Sequence, residues 1–206
     1  MPRLLTDWDS VLAAARELGA GERRALLGIA GAPGAGKSTL AERLVSDLGP
    51  AAAVVPMDGF HLPGTVLADR GLAEVKGAPE TFDRAGYVAL LQRLRDGAAG
   101  VVRAPRFDRA REASVADAIE VDPSVRLVVT EGNYLLFWPE VRAQLDQAWF
   151  VEVCDDERRV ETLIGRHMSF GRSAGDARRW VQRSDEANSR LVSRGRGTAD
   201  RVVRLW

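Results

Sequence analysis

Short, nearly continuous apolar runs alternate along this chain with stretches of helical periodicity. Residues 25–30, 51–57, 125–130, 147–153 and 202–205 read as buried strands. Residues 8–18 place Val11, Leu12, Ala15 and Leu18 on one helical face, and residues 85–95 carry Tyr87, Leu90, Leu91 and Leu94 as an apolar stripe. Further helical patterns cover residues 39–45, 139–145, 155–168 and 176–192. Strands buried on both faces and alternating with helices predict an α/β fold in three layers, with a mostly parallel sheet of five strands. Weaker β-like pieces, Val101-Val102 and residues 118–121, predict a small hairpin insertion over about 101–123. Pro63 and Gly64 break regularity after Asp58, so residues 61–83 predict an irregular segment.

The first strand runs into Gly31-Ala32-Pro33-Gly34-Ala35-Gly36-Lys37-Ser38-Thr39, a complete G-x-x-x-x-G-K-[ST] loop between a strand and a helix. Its glycines let backbone N–H groups turn inward around phosphate oxygens. Lys37 is placed to reach the β and γ phosphates, and the Ser38 hydroxyl to ligate Mg²⁺. The loop predicts binding of a nucleoside triphosphate, and with it the P-loop NTPase version of the three-layer fold.

Composition narrows the reading. The 206 residues suit one domain spanning 1–206, and 46% hydrophobic content supports a substantial core. The 29 Lys+Arg balance 29 Asp+Glu, so no global basic field points to nucleic acid. No apolar run reaches the length of a membrane span and no secretory signal opens the chain, so a cytoplasmic location is expected. A single cysteine, Cys154, rules out an internal disulfide and reads as a buried, inert thiol. Only two of the cations are lysines, Lys37 and Lys76. A compact ammonium differs from a planar guanidinium at a crowded phosphate cradle, which fits Lys37 being kept for its chemistry.

Phosphoryl transfer depends on positioning, on charge stabilisation and on a carboxylate that orients the attacking hydroxyl. Asp58 and Glu131 each end a strand, and ligands of parallel sheets gather at such ends. Asp58 is the candidate base; Glu131 is the candidate Mg²⁺ ligand, directly or through water. For each carboxylate the plainer alternative is a loop cap.

Several segments, in order, carry a resemblance: Gly31 to Thr39; Met57-Asp58-Gly59-Phe60-His61; Lys76-Gly77-Ala78-Pro79-Glu80-Thr81-Phe82-Asp83; Pro105-Arg106-Phe107-Asp108, followed by Arg111; and Glu131-Gly132-Asn133-Tyr134-Leu135-Leu136. The ordered set resembles the P-loop small-molecule kinases that include uridine kinase, bacterial pantothenate kinase and phosphoribulokinase, over roughly residues 25–205. The pattern is most similar to nucleoside/nucleotide kinase-like and fructose-transport-system kinase-like proteins. The resemblance implies that Asp58 serves as base, that Phe107 and Asp108, with Arg109 or Arg111, contact the acceptor, and that Lys76 and Asp83 lie on the acceptor side. It also implies ATP and Mg²⁺ as cofactors, a small-molecule hydroxyl acceptor as partner, and the homodimer common among relatives.

Arg158, Arg159, Arg166, Arg172, Arg178 and Arg179 crowd one segment punctuated by Gly165, Gly171 and Gly175, which predicts a helical lid over about 158–180. Arg166 and Arg172 are the candidates for contacts to the transferring phosphate; ordinary surface placement is the expectation for most of the others. His61 reads equally as an acceptor or Asp58 contact and as a satisfied structural histidine. His167 adjoins Arg166, and no Cys/His pattern suggests zinc. Trp180 and Trp206 read as packing residues, and Asn188 with Arg196 as weak candidates for holding adenine.

Together these features predict an ATP-dependent kinase acting on a hydroxyl of a small metabolite. A sugar or sugar-like acceptor comes first, a nucleoside second and pantothenate third. A nucleotide-switched regulatory protein is disfavoured because no Asn-Lys-x-Asp guanine-reading motif is present. A transporter or helicase ATPase lacks its signature and its basic groove.

Overall fold

The computed structural model describes residues 2–97 and 100–205; Trp206 lies outside them. Five strands form where apolar runs predict them: β2 (Ala25–Gly31), β3 (Ala52–Val54), β6 (Leu127–Glu131), β7 (Gln147–Val151) and β8 (Arg201–Val203). A sixth, β1 (Arg3–Leu5), joins them, so the sheet has six strands rather than five, in the order β1-β8-β7-β2-β6-β3. All its pairings are parallel. Three residues with one buried member, Leu5, are too few to show a period, and β1 forms only because β8 offers it an edge.

Alternation along the strands sends side chains into two cores. Leu27, Ile29, Val129, Trp149 and Val203 pack against Leu40, Ala41 and Leu44 of helix α2 (Lys37–Leu48) and Val11, Ala14 and Ala15 of helix α1 (Trp8–Gly19). Leu26, Ala30, Val128, Phe150 and Val202 face the opposite core. There they meet Leu90, Leu91 and Leu94 of helix α4 (Arg84–Arg95), Val141 of helix α5 (Pro139–Arg142) and Val192 of helix α8 (Glu186–Ser193). The three layers follow from this two-sided burial.

Two regions differ from expectation in detail. The segment after Asp58 is less irregular than its Pro and Gly suggest, since it contains a short helix, α3 (Gly64–Asp69). The pattern over 176–192 breaks into helix α7 (Ala174–Trp180), a π-helical turn (Val181–Asp185) and α8. The extra residue in that turn rotates the two helices relative to each other, which periodicity alone does not reveal.

The predicted hairpin is present as strands β4 (Val102–Asp108) and β5 (Ala113–Val121), antiparallel, with a register shift between Ala104 and Arg106. Its strands are longer than the β-like sequence pieces because the exposed residues near the tip contribute no apolar signal. The segment expected to form a lid begins with helix α6 (Asp156–Ser169) and continues through α7. Cys154 is exposed in the β7–α6 connection, contrary to the buried thiol expected, because β7 ends at Val151 and the chain has already left the sheet.

Candidate active site

The phosphate loop joins β2 to α2 at the carboxyl end of the central strand. Gly34 and Gly36 have φ of 77° and 85°, the left-handed region that lets successive N–H groups converge. Gly31 and Ala35 are buried and Ala32 half-buried beneath the loop, while Pro33, Gly34, Gly36, Lys37, Ser38 and Thr39 line a cavity of about 1320 Å³. Lys37 opens α2, is only 8% exposed, and donates through Nζ to the Ala32 carbonyl at 3.0 Å. Burial pushes its ammonium below the ordinary lysine range, while the charges of Glu131 and Asp58 pull the other way.

Glu131 closes β6 beside the loop. Its Oε1 accepts from the Ser38 hydroxyl at 3.0 Å. Burial, and then the negative charge of Asp58, push its carboxyl up to about 7, while Lys37 and the Ser38 bond act in the opposite direction. Among the described residues no group of three or more His, Cys, Asp or Glu could hold a metal ion alone. Mg²⁺ bound with a nucleotide needs less, since it takes one or two protein oxygens beside phosphate oxygens and waters. A serine hydroxyl paired to a buried carboxylate whose charge is under-compensated fits that demand.

Asp58 sits in a 3-10 turn (Met57–Phe60) that follows β3, so its side chain leaves the sheet at the same end as the phosphate loop. Directly over this turn runs β4. A Cβ on Gly59 would collide with the Pro105 carbonyl oxygen, so glycine permits the hairpin to lie this close. The hairpin tip then brings the Arg109 guanidinium to Asp58, Nη2 to Oδ2, at 2.9 Å. Asp108 shapes the tip by accepting from the N–H groups of Ala110 (2.9 Å) and Arg111 (3.1 Å).

Aromatic rings floor this part of the cavity. His61 stacks at a tilt on Phe82 (4.1 Å between centroids) and Phe107 (4.8 Å). Its Nδ1 lies 2.8 Å from the Asp58 carbonyl oxygen, an arrangement in which the ring donates. Burial pushes the imidazole below the usual histidine range despite the neighbouring Asp58 charge. Lys76 donates to the Glu112 carboxylate at 3.0 Å and carbonyl at 3.1 Å. The next residue, Gly77, is anchored through its carbonyl by the Tyr134 hydroxyl and the Asn188 amide.

The arginines between 158 and 179 divide by their surroundings. Arg166 and Arg172 line the cavity, and Arg172 lies 4.1 Å over the Trp180 ring. Trp180 is therefore a half-buried wall residue and not part of either core. Arg159 is 3% exposed and bonds the Pro33 carbonyl, Asp156 and Glu186, tying the phosphate loop to α6 and α8. Arg158 and Arg178 are exposed, and Arg179 pairs with Asp176. His167 pairs with Asp185 at 2.8 Å.

Lys37, Ser38, Asp58, His61, Lys76, Phe107, Glu131, Arg166 and Arg172 thus converge on one cavity. Asp83 is not among its lining residues. It caps α4, accepting from the Gly86 N–H at 2.9 Å. Asp108 and Arg111 are also outside the lining, and Arg111 is exposed in a 3.6 Å pair with Asp108. Arg196 holds Glu152 at 2.7 Å. Sequence reasoning missed the clamp made by Arg159 and left Arg109 level with Arg111. The one available signal was the placement of Arg109 immediately after the Pro105 to Asp108 pattern.

No family model matches the chain. The ATP-dependent kinase-like protein notR' of Aspergillus versicolor is 39% identical over 126 residues, 56% of this chain and 73% of its own length. A candidate uridine kinase of Schizosaccharomyces pombe is 30% identical across 97% of this chain and 91% of its own. Among solved structures, a candidate fructose transport system kinase of Silicibacter sp. TM1040 is 37% identical. It superposes with a TM-score of 0.80 and covers 93% of this chain and 98% of its own. With the phosphate loop, the ordered motifs and the parallel sheet in place, the chain belongs to the P-loop small-molecule kinases of the uridine kinase and pantothenate kinase group, ATP-dependent phosphotransferases acting on an alcohol.

Proposed function

We propose that this kinase transfers the γ-phosphoryl of ATP to a hydroxyl of a small polyhydroxylated metabolite, a sugar or sugar-like molecule. The observation that carries this reading is the position of Asp58. It shares one cavity with Lys37, Ser38 and Glu131, close enough for its charge to act on Lys37 and Glu131, and it is also held by Arg109 and His61 from the hairpin side. In this reading the nucleotide occupies the Lys37 side of the cavity and the acceptor the Arg109 side. Charged and hydrogen-bonding groups around two aromatic rings suit a compact molecule with several hydroxyls.

In this reading Asp58 orients the acceptor hydroxyl and receives its proton as the new O–P bond forms and the bond to the ADP oxygen breaks. Lys37, Arg166 and Arg172 spread positive charge over the transferring group. Ser38 and Glu131 would hold Mg²⁺, which would supply further neutralisation of the polyphosphate. Closure of the α6–α7 lid excludes water, which competes as a nucleophile.

The sugar-like acceptor agrees with the similarity to the Silicibacter structure, a candidate fructose transport system kinase. A nucleoside is the second reading, favoured by the Schizosaccharomyces pombe relative, and pantothenate is the third, by a Shouchella clausii relative. ATP turnover measured with and without matched sugars, polyols, nucleosides and pantothenate tests the proposal. Turnover that depends strongly on one sugar-like acceptor is expected. Hydrolysis indifferent to every acceptor would point instead to a nucleotide-switched regulatory protein.

A further inference from the structure

We propose that Thr130 and Tyr87 are positioning residues for phosphoryl transfer: their buried hydroxyls join the end of β6 to the end of β3 and so fix the distance between Glu131 and Asp58. This rests on the roles given above to those two carboxylates and deepens that reading of the site.

The need for such a device comes from the sheet. β3 is an edge strand of three residues, so β6 is its one neighbour. The paired register stops at Val54 and Val129, and one more backbone bond, from the Val55 N–H to the Val129 carbonyl, runs at 2.9 Å. Pro56 has no N–H with which to continue the ladder. Glu131 is still held by β2, where it pairs with Ile29. Asp58 lies past the last rung, so its place relative to Glu131 depends on what secures the end of β3.

At this point the Thr130 hydroxyl donates to the Val55 carbonyl at 2.6 Å. A hydroxyl has one proton to give, so the Tyr87 hydroxyl, 2.5 Å away, is the donor to Thr130. Thr130, Tyr87 and Val55 are all fully buried, which shields these bonds from bulk solvent. Tyr87 also grips the Asp58 turn directly. Its ring lies 5.0 Å from the Phe60 ring, and the Phe60 carbonyl accepts from the N–H of Asp83, the cap of α4, at 2.8 Å. The chain neighbours of the two carboxylates, Met57 and Gly132, pack together so closely that a Cβ on Gly132 would collide with the Met57 side chain. That contact stops the two segments from approaching, and the hydroxyl pair stops them from parting. A spacing held from both sides matters because in-line transfer tolerates little displacement: about 1 Å costs about 10²-fold in rate.

Thr130→Val keeps the shape of the side chain and removes the hydroxyl. The Val55 carbonyl is then the partner left to Tyr87, which draws the end of β3 toward α4 and away from β6. Crystal structures of the wild type, Thr130→Val and Thr130→Ser, all without ligand, should show the Asp58–Glu131 separation changed by about 0.5 Å or more in the valine variant alone. Kinetics uses ATP and the acceptor of highest turnover among the sugars, polyols, nucleosides and pantothenate. Thr130→Val should lower kcat by about 10- to 100-fold while the KM for ATP holds, and Thr130→Ser should recover most of the loss. In an Asp58→Asn background Thr130→Val should cost little more, since a positioning residue acts through the group it positions. Tyr87→Phe leaves the Thr130–Val55 bond in place, so its kcat should fall between those of the wild type and Thr130→Val; it decides the matter alone if the valine variant does not fold. A folded Thr130→Val or Tyr87→Phe that unfolds at lower temperature but keeps a normal kcat overturns the inference and leaves the kinase reading intact. Losses that multiply independently with Asp58→Asn do the same. A near-normal kcat in Asp58→Asn alone, or hydrolysis indifferent to every acceptor, overturns the reading of the site and this inference with it.

Discussion

Arg109 and Asp58 are 51 residues apart in sequence and 2.9 Å apart at their charged atoms. The hairpin tip carries one and the turn after β3 carries the other, so this ion pair fastens the hairpin onto the candidate base. With one carboxylate oxygen engaged by Arg109, the other remains for a hydroxyl. The pair therefore holds Asp58 in a fixed orientation beside the cavity.

Asp58→Asn keeps the shape and the hydrogen-bonding reach of the side chain but removes its capacity to accept the hydroxyl proton. Acceptor-dependent kcat should fall by about 10²–10⁴-fold, the usual contribution of a positioned general base. The KM for ATP should change little. Steady-state kinetics at saturating nucleotide measures this, and a near-normal kcat would remove Asp58 from the role.

Gly59→Ala tests the placement of the hairpin. The added methyl meets the Pro105 carbonyl oxygen, and neither the strand nor the turn can yield without disturbing Asp58. Overpacking of this kind costs about 1–3 kcal/mol. Thermal unfolding should register that cost and the acceptor KM should rise, while nucleotide affinity measured by titration calorimetry is retained. Equal weakening of nucleotide and acceptor would show that the two halves are not built separately.

Arg159→Ala should destabilise the protein more than any other lid-arginine replacement. It removes a buried cation that holds the Pro33 carbonyl at 3.1 Å and leaves Glu186 without its partner. Loss of one member of a buried pair costs about 3 kcal/mol or more. Urea unfolding of Arg159→Ala beside Arg178→Ala, an exposed position, gives the comparison. Arg159→Lys should recover little, because one ammonium cannot span three partners.

His61 gives stability a pH dependence of defined sign. Its folded pKa is depressed by burial, so above about pH 6.5 the ring is neutral in both folded and unfolded chains and contributes nothing. As pH falls below that value the unfolded chain takes up the proton first, and stability declines until the folded-state pKa is passed. Denaturant unfolding at a series of pH values should therefore show a steeper acid-side loss for the wild type than for His61→Gln. Parallel curves would mean that His61 titrates as an exposed histidine does.

Much of the site is legible in the sequence because its parts are local. The loop announces itself through its glycines, and Glu131 and Asp58 through the apolar runs they end. Lys76 stands out as one of only two lysines. Asp83 misleads for the same local reason: its motif is real, but a helix start three residues before Gly86 claims its carboxylate as a cap. The clamp made by Arg159 left no comparable mark, since a buried arginine and a solvated one read alike within an arginine-rich helix.

The amino-acid sequence by itself determined the backbone chemistry and the layers. Glycines at positions 34 and 36 permit the left-handed turns of the phosphate cradle, and alternating apolar strands demand cover on both faces. Only the tertiary structure decided which cations remain available. Arg159 is spent on a carbonyl 126 residues away, Lys76 on Glu112 across 36 residues, and Arg109 is held on Asp58 with donors to spare. The reason is physical: a side chain's charge is written in its residue type, but its partners are set by which distant segments the sheet and hairpin bring within 3 Å or so of it.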